Sequence, residues 1–321
     1  MQTDKLQAIW ETALAAHQDG DLTTAQTGYE HLLALEGKHL PALVNLATIL
    51  RVQGRSEDAA KCYRHALSFT DDSPELWFNY GNLLQAQGRE SEAIKAFRQA
   101  LIIRPELFQA RLSLANTLRQ SGQLEAALAE YQYAIELRSD EVTPLTNAGN
   151  VLRRLGRLDE AIRFHRRALK CDPDNIDVRI NLGNALRDAN RLKEAELAYR
   201  YAIELSPQSS SAVIALYRLL THMGREADAW SLLSESLELT TDPQLLALAA
   251  GWAYQYKRPD QAVVYYQRAL ADVPDNSKWL QNLAVVLTEQ GKVDKAIEKW
   301  RRLLQVDPHN ATAHFRLGTL Y

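Results

Sequence analysis

Apolar residues recur along the chain in short paired segments with helical spacing. In residues 40–70 an apolar stripe runs from Leu43 to Leu50, and a second stripe begins at Ala59 after Gly54. Spacings of three and four residues place such side chains on one face of an α-helix, and glycine commonly follows the last turn of a helix. The pattern predicts two amphipathic helices joined by a tight turn.

The same pair of predicted helices returns along the whole chain at a nearly constant interval. The second helix of each pair carries an alanine: Ala25, Ala59, Ala93, Ala127, Ala161, Ala195, Ala229, Ala262 and Ala296. Four residues later comes a ring or a substitute for one: Tyr29, Tyr63, Phe97, Tyr131, His165, Tyr199, Leu233, Tyr266 and Trp300. A fixed period of this kind indicates a repeat protein, in which stacked helical hairpins share one core.

This register resembles the tetratricopeptide-repeat family over essentially the whole chain. The third repeat has the fullest signature, with Trp77, Gly81, Ala93, Phe97 and Pro105 at the family's positions. The resemblance implies an all-α solenoid, a right-handed superhelix of helix-turn-helix hairpins. Nine full repeats are expected, followed by the first helix of a tenth.

We predict a single solenoid over residues 1–321, with no separate domain. Repeats are expected to start near residues 6, 40, 74, 108, 142, 176, 210, 244, 277 and 311. Irregular packing is expected at residues 210–265, because Tyr217 replaces a small residue and Leu233 replaces a ring. The eighth repeat is one residue short, and we place the missing residue in the turn from Tyr256 to Pro259.

The last eleven residues look like the first half of a repeat whose second helix is absent. Leu317, Gly318 and Tyr321 stand at the expected places. Terminal repeats normally present a polar surface, which these residues do not supply. We therefore expect a longer protein, or else a natural frayed end, and self-association through this uncapped end.

Asparagine recurs at two fixed positions off the apolar stripe of the first helices. The rows contain Asn45, Asn79, Asn147 and Asn181, and Asn82, Asn116, Asn150 and Asn184. In the resembled family the first helices line a concave groove, and these rows are similar to the asparagine ladder of O-linked N-acetylglucosamine transferases. An amide can donate to and accept from a peptide backbone, so the rows predict capture of an extended peptide. Alternatively, the asparagines bond across to neighbouring helices and stabilise the stack.

Arginines follow the second asparagine row by three residues, and we predict that they rim the groove. They are Arg51, Arg119, Arg153 and Arg187. Because guanidinium forks suit carboxylates, an acidic peptide is a candidate guest. Alternatively, these arginines are solvated cations that the helix dipole favours near helix C-termini.

Net charge, cysteine content and the lack of long apolar runs exclude or disfavour several classes of protein. The net charge is −3, with 37 basic and 40 acidic residues, whereas nucleic-acid binders usually carry a basic excess. The two cysteines, Cys62 and Cys171, exclude a disulfide framework. The sequence has neither a secretory leader pattern nor an apolar run long enough for a membrane span, so we expect a cytoplasmic chain without membrane insertion.

No motif for catalysis, phosphate binding or metal binding occurs in the sequence. We therefore predict a non-catalytic scaffold that needs no cofactor or metal and binds a protein or peptide partner in its groove. The alternative is the substrate-recruiting N-terminal arm of a larger enzyme, such as a glycosyltransferase, sulfotransferase or methyltransferase. RNA binding by a similar helical array is disfavoured by the net charge.

Overall fold

The computed structural model describes residues 2–320, and within them helices alternate with short connections and no strand occurs. The first helices of the successive pairs are α1 (Gln2–Gln18), α3 (Leu40–Val52), α5 (Pro74–Ala86), α7 (Phe108–Gln120), α9 (Val142–Arg154), α11 (Ile176–Asp188), α13 (Ser210–His222), α15 (Pro243–Gln255), α17 (Ser277–Glu289) and α19 (Ala311–Leu320). The second helices are α2 (Leu22–Leu35), α4 (Ser56–Leu67), α6 (Glu90–Ile103), α8 (Leu124–Leu137), α10 (Leu158–Cys171), α12 (Leu192–Leu205), α14 (Glu226–Leu239), α16 (Pro259–Asp272) and α18 (Val293–Val306).

The predicted all-α class is confirmed. The chain divides into two compact units, Met1–Cys171 and Asp172–Tyr321. Each unit is a run of antiparallel helical hairpins. The single solenoid predicted across both units stays a prediction, and Tyr321, predicted for the tenth repeat, lies outside the described residues.

The alanine ladder and the ring position form the core of both units. Every alanine of the ladder is fully buried, and the nine ring-position side chains are at most 4% exposed. Glycines on the first helices allow these rings to approach closely. A Cβ built at Gly81 would lie 2.6 Å from the Phe97 ring, and one at Gly183 would lie 2.4 Å from the Tyr199 ring.

The turn inside each hairpin uses a left-handed residue to end the first helix. Gly54 has a φ of 78°, and the non-glycine residues Asn190 and Lys257 have φ values of 59° and 56°. Asparagine tolerates this conformation better than most residues, so its use in the sixth repeat agrees with the predicted turn. Lys257 adopts the same conformation without that advantage.

The structure corrects the position of the missing residue in the eighth repeat. Helix α14 ends at Leu239, in step with the earlier repeats, but α15 begins at Pro243, one position earlier than the step from α11 to α13 predicts. The α14–α15 connection is therefore one residue shorter than the α12–α13 connection. The predicted deletion in the Tyr256 to Pro259 turn is wrong, because that turn is as long as its counterpart between α11 and α12.

Candidate functional site

The eight predicted asparagines all lie on first helices, from α3 to α11, and all are partly exposed. Six belong to the first compact unit, and Asn181 and Asn184 belong to the second. None lies in the core. Their side-chain amides form two groups. One group is hydrogen-bonded to a tyrosine at the ring position or to another asparagine, and the other group is not.

Half of these asparagines are tied into the helix stack. The Asn45 amide donates to the Tyr29 hydroxyl at 3.1 Å. The Tyr131 hydroxyl donates to Asn116 Oδ1 at 2.6 Å, and the same oxygen accepts a hydrogen bond from the Asn147 amide at 3.2 Å. These bonds link a first helix to a second helix, and Asn147 extends the link to the next repeat.

The second unit repeats this arrangement. The Tyr199 hydroxyl donates to Asn184 Oδ1 at 2.9 Å, and the Asn282 amide donates to the Tyr266 hydroxyl at 3.1 Å. In all these pairs the tyrosine and the asparagine stand at one of two fixed separations in the sequence, and they belong to adjacent helices. The ring tyrosines are thus polar partners of the rows, a role that the sequence analysis did not assign to them.

The other four asparagines make no side-chain hydrogen bond to any residue in the range 2–320. They are Asn79, Asn82, Asn150 and Asn181. Each keeps two donors and an acceptor available at a partly exposed position. We call Asn79, Asn82, Asn150 and Asn181 the open asparagines, and Asn45, Asn116, Asn147 and Asn184 the tied asparagines.

The side chain at the ring position explains two of the open asparagines in the first unit. Phe97 follows Asn82 by 15 residues, the separation between Asn116 and Tyr131, and phenylalanine has no hydroxyl that could form the hydrogen bond. His165 holds the same position relative to Asn150, and an imidazole is shorter than a phenol. Neither His165 ring nitrogen has a hydrogen-bond partner among the described residues.

Asn79 is open although its ring-position neighbour is a tyrosine. The ring-position residue of the preceding second helix is Tyr63, which does carry a hydroxyl. Burial raises the pKa of Tyr63, and the nearby Thr48 of the same repeat opposes the rise. The Tyr63 hydroxyl forms no hydrogen bond with Asn79, so a tyrosine at the ring position does not by itself tie the asparagine.

His165 is a fully buried polar ring beside the open Asn150. Burial lowers its pKa to about 4, and the neighbouring positive charge of Arg153 acts in the same direction. The imidazole is consequently neutral near pH 7. A Cβ at Gly149 would lie 2.6 Å from this ring, so helix α9 packs directly onto it.

The four predicted rim arginines do not share one environment. Arg51 is exposed and forms no ion pair within the described part of the chain. Arg187 bonds to the adjacent Asp188 at 2.8 Å. Burial raises the pKa of the Tyr131 hydroxyl, and the nearby Arg119 cation lowers it. Arg153 faces His165. These contacts leave Arg51 as the most accessible of the four cations.

No group of three histidine, cysteine or carboxylate residues in the range 2–320 is arranged to hold a metal ion. No helix in it combines the length and the apolar character that crossing a bilayer requires.

Family models match most of the chain. Models described as tetratricopeptide repeat match residues 38–106, 140–208 and 253–298, and one described as TPR repeat matches 115–156 and 284–321. The chain belongs to the tetratricopeptide-repeat family. As a tetratricopeptide-repeat protein it is built as a protein-interaction scaffold.

Individual relatives resemble parts of this tetratricopeptide-repeat protein. The TPR repeat-containing thioredoxin TTL4 of Arabidopsis thaliana is 30% identical over 81 residues, which are 25% of this chain and 12% of that protein. YrrB, described as a TPR protein with an unusual peptide-binding site, is 23% identical, with a TM-score of 0.52 over 58% of this chain and 96% of its own. MamA is 17% identical, with a TM-score of 0.51 over 54% of this chain and 94% of its own. At these identities the two solved structures support the fold alone.

Proposed function

We propose that this tetratricopeptide-repeat protein is a non-catalytic scaffold that binds an extended peptide segment along its first helices. The observation that carries the proposal is the presence of the open asparagines. Their equivalents in neighbouring repeats are hydrogen-bonded to tyrosine hydroxyls or, for Asn147, to another asparagine, whereas these amides have no partner among the described residues. A side-chain amide that both donates and accepts matches the N–H and C=O of an extended backbone.

Backbone capture of this kind predicts tolerance of peptide sequence. Every residue except proline offers the same N–H and C=O groups, so affinity from the open asparagines depends little on side chains. The exposed Arg51 adds a preference for acidic residues, since hydrogen bonds between arginine and carboxylate are stronger than neutral ones. YrrB, a relative of similar fold, is described as having a peptide-binding site.

The first prediction compares open and tied asparagines in the same unit. Peptides of unrelated sequence are selected from a phage-displayed dodecapeptide library on the full chain, and their affinities are measured by calorimetry. The triple variant Asn79→Ala, Asn82→Ala, Asn150→Ala should lower these affinities at least tenfold, because each lost hydrogen bond contributes about 0.5 to 1.5 kcal/mol. Its thermal midpoint should stay near that of wild type.

The matched control is the tied triple variant Asn45→Ala, Asn116→Ala, Asn147→Ala. It removes the same number of amides from the same unit but leaves the buried hydroxyls of Tyr29 and Tyr131 with fewer partners. It should lower the thermal midpoint. Peptide affinities that do not change in the open triple variant, with helicity intact by circular dichroism, would refute peptide capture by these residues.

A further inference from the structure

A pocket of about 710 Å³ opens in the second unit among the first helices α13, α15 and α17. Its apolar lining includes Ile214, Leu248, Trp252 and Trp279. Pockets of about 300 to 1,000 Å³ are typical of ligand sites. The volume is therefore sufficient for large side chains of a bound segment.

The pocket lies where the asparagine rows give way to other residues. Leu248 is five residues into α15, the position that Asn181 occupies in α11, and Arg218 is eight residues into α13, the position of Asn184 in α11. The same face of the first helices is thus polar in α11 but apolar and basic in α13 and α15. Its binding preference must change accordingly.

The aromatic wall of the pocket is fixed by stacking. The Trp252 ring stacks on Trp230 with a centroid distance of 3.9 Å and on Tyr256 with 4.5 Å. Both faces of the indole are thereby covered by protein. Trp252 offers a rigid apolar edge to a guest, and binding costs little conformational entropy because the wall is already ordered.

Two cations at this pocket have no acidic partner among the described residues. Arg218 and Lys278 are exposed and form no ion pair there. The acidic residue in the lining is Asp242, whose Oδ1 accepts the backbone N–H groups of Gln244 and Leu245 at 2.8 and 3.2 Å. That carboxylate caps α15, and the two cations outnumber it, so the net charge of the pocket lining is positive.

We propose that this pocket binds a segment of a protein partner that presents a bulky apolar side chain next to a carboxylate. The apolar side chain enters between Leu248 and Trp279, and the carboxylate pairs with Arg218 and Lys278. The guest's peptide nature rests on the proposed function, but the residues are different ones. A nucleic acid fits less well, because two cations neutralise few phosphates and both faces of the Trp252 ring are already occupied.

The experiment is a charge swap with the full chain and a phage-displayed random dodecapeptide library. On the wild type, one class of enriched peptides should share a motif, Phe, Trp or Leu within two residues of Asp or Glu, and the unrelated peptides that depend on the open asparagines should fall outside this class. On the variant Arg218→Glu, Lys278→Glu, the acidic residue in this motif should give way to Lys or Arg. A synthetic peptide with the wild-type motif should bind the charge-swapped variant at least tenfold more weakly.

Two further variants separate this site from the open asparagines. Leu248→Asn makes the pocket polar, and the affinity of the motif peptide should fall at least tenfold while the helicity is kept. The open triple variant Asn79→Ala, Asn82→Ala, Asn150→Ala should still enrich the same motif. If the motif is lost in the open triple variant but kept in the charge-swapped variant, the motif peptides bind to the first unit, and the pocket proposal is overturned.

Other outcomes also decide the question. The proposal is overturned if the wild type enriches no apolar–acidic motif, or if the charge-swapped variant enriches the same motif as wild type. Binding of a fluorescein-labelled 20-nucleotide poly(U) RNA that the charge swap abolishes, without an enriched peptide motif, would identify a nucleic-acid site instead. If the open triple variant binds the unrelated peptides as tightly as wild type does, and the apolar–acidic motif is still enriched, the proposed function is refuted and the pocket proposal stands.

Discussion

At the scale of single residues, His165 connects the core to the candidate site. Tyrosine at the ring position reaches the asparagine rows with its hydroxyl, as Tyr131 reaches Asn116. The shorter imidazole of His165 fills the same core position but leaves Asn150 open. One substitution in the core therefore determines whether an exposed amide is available to a partner.

The lowered pKa of His165 predicts that acid destabilises the protein. The folded-state pKa is about 4 and the ordinary value is 6.5, so between these values the unfolded state binds a proton that the folded state refuses. The contribution to stability is complete above pH 6.5 and is lost as the pH falls toward 4, by about 3 kcal/mol at most. Urea unfolding at pH 7.5, 6, 5 and 4.5 measures this loss.

The variant His165→Phe isolates the effect. Phenylalanine already occupies the ring position at Phe97, so the replacement suits the core and removes the titrating group. Its unfolding free energy should decline less between pH 6.5 and 4.5 than that of wild type. An undiminished decline in His165→Phe would show that other groups cause the acid sensitivity.

At the scale of helices, the close approach of first and second helices depends on glycine. Alanine at Gly183 would place its Cβ 2.4 Å from the Tyr199 ring. That ring is fully buried and bonded to Asn184, so it cannot yield without losing a contact. Overpacking of this kind destabilises by about 1 to 3 kcal/mol.

A second helical glycine, Gly251, provides the matched control. Its nearest neighbour is the Tyr266 hydroxyl, 3.9 Å from a built Cβ. Gly251→Ala should leave stability unchanged or raise it by up to about 1 kcal/mol, because alanine is the better helix former. Thermal midpoints of the two variants test the prediction, and equal midpoints would show that the glycine at position 183 is not required by packing.

The eighth repeat, which contains Gly251, shows what could not be predicted from the sequence. The alanine ladder and the turn residues predicted the second helices correctly, because their spacing follows from one period. The alanine ladder alone could not place the missing residue, since a deletion in either connection shortens the step by the same amount. Gly251 faces no ring at close range, because Ala250 holds the register position relative to Tyr266 that Gly183 holds relative to Tyr199.

The division of the asparagine rows was beyond sequence reasoning for a similar reason. Periodicity identified all eight asparagines, and the tied and open ones have the same residue type at the same register. They differ in whether a neighbouring side chain forms a hydrogen bond with the amide. A tyrosine at the spacing that joins Asn116 to Tyr131 would have been the signal, but Tyr63 carries a hydroxyl at the spacing that joins Tyr29 to Asn45 and still leaves Asn79 open.

At the scale of the whole molecule, stability should vary from repeat to repeat. A stacked array has contacts mainly between neighbours, so a weak repeat lowers local rather than global stability. In α14 the ring position is occupied by Leu233, where α12 has Tyr199. The next buried residue of α14 is the polar Ser236, where α12 has Ala202. This helix therefore lacks the tyrosine–asparagine bond that fastens α12.

Hydrogen exchange should report this difference directly. Amides of α14 should exchange faster than those of α12. Trp230 of α14 stacks on Trp252 of α15, so Trp230→Ala should accelerate exchange in α14 at least tenfold and leave α12 near its wild-type rate. A tenfold change in the exchange rate corresponds to about 1.4 kcal/mol of local opening free energy. An equal acceleration in α12 and α14 would instead mean that the second unit opens as one cooperative body.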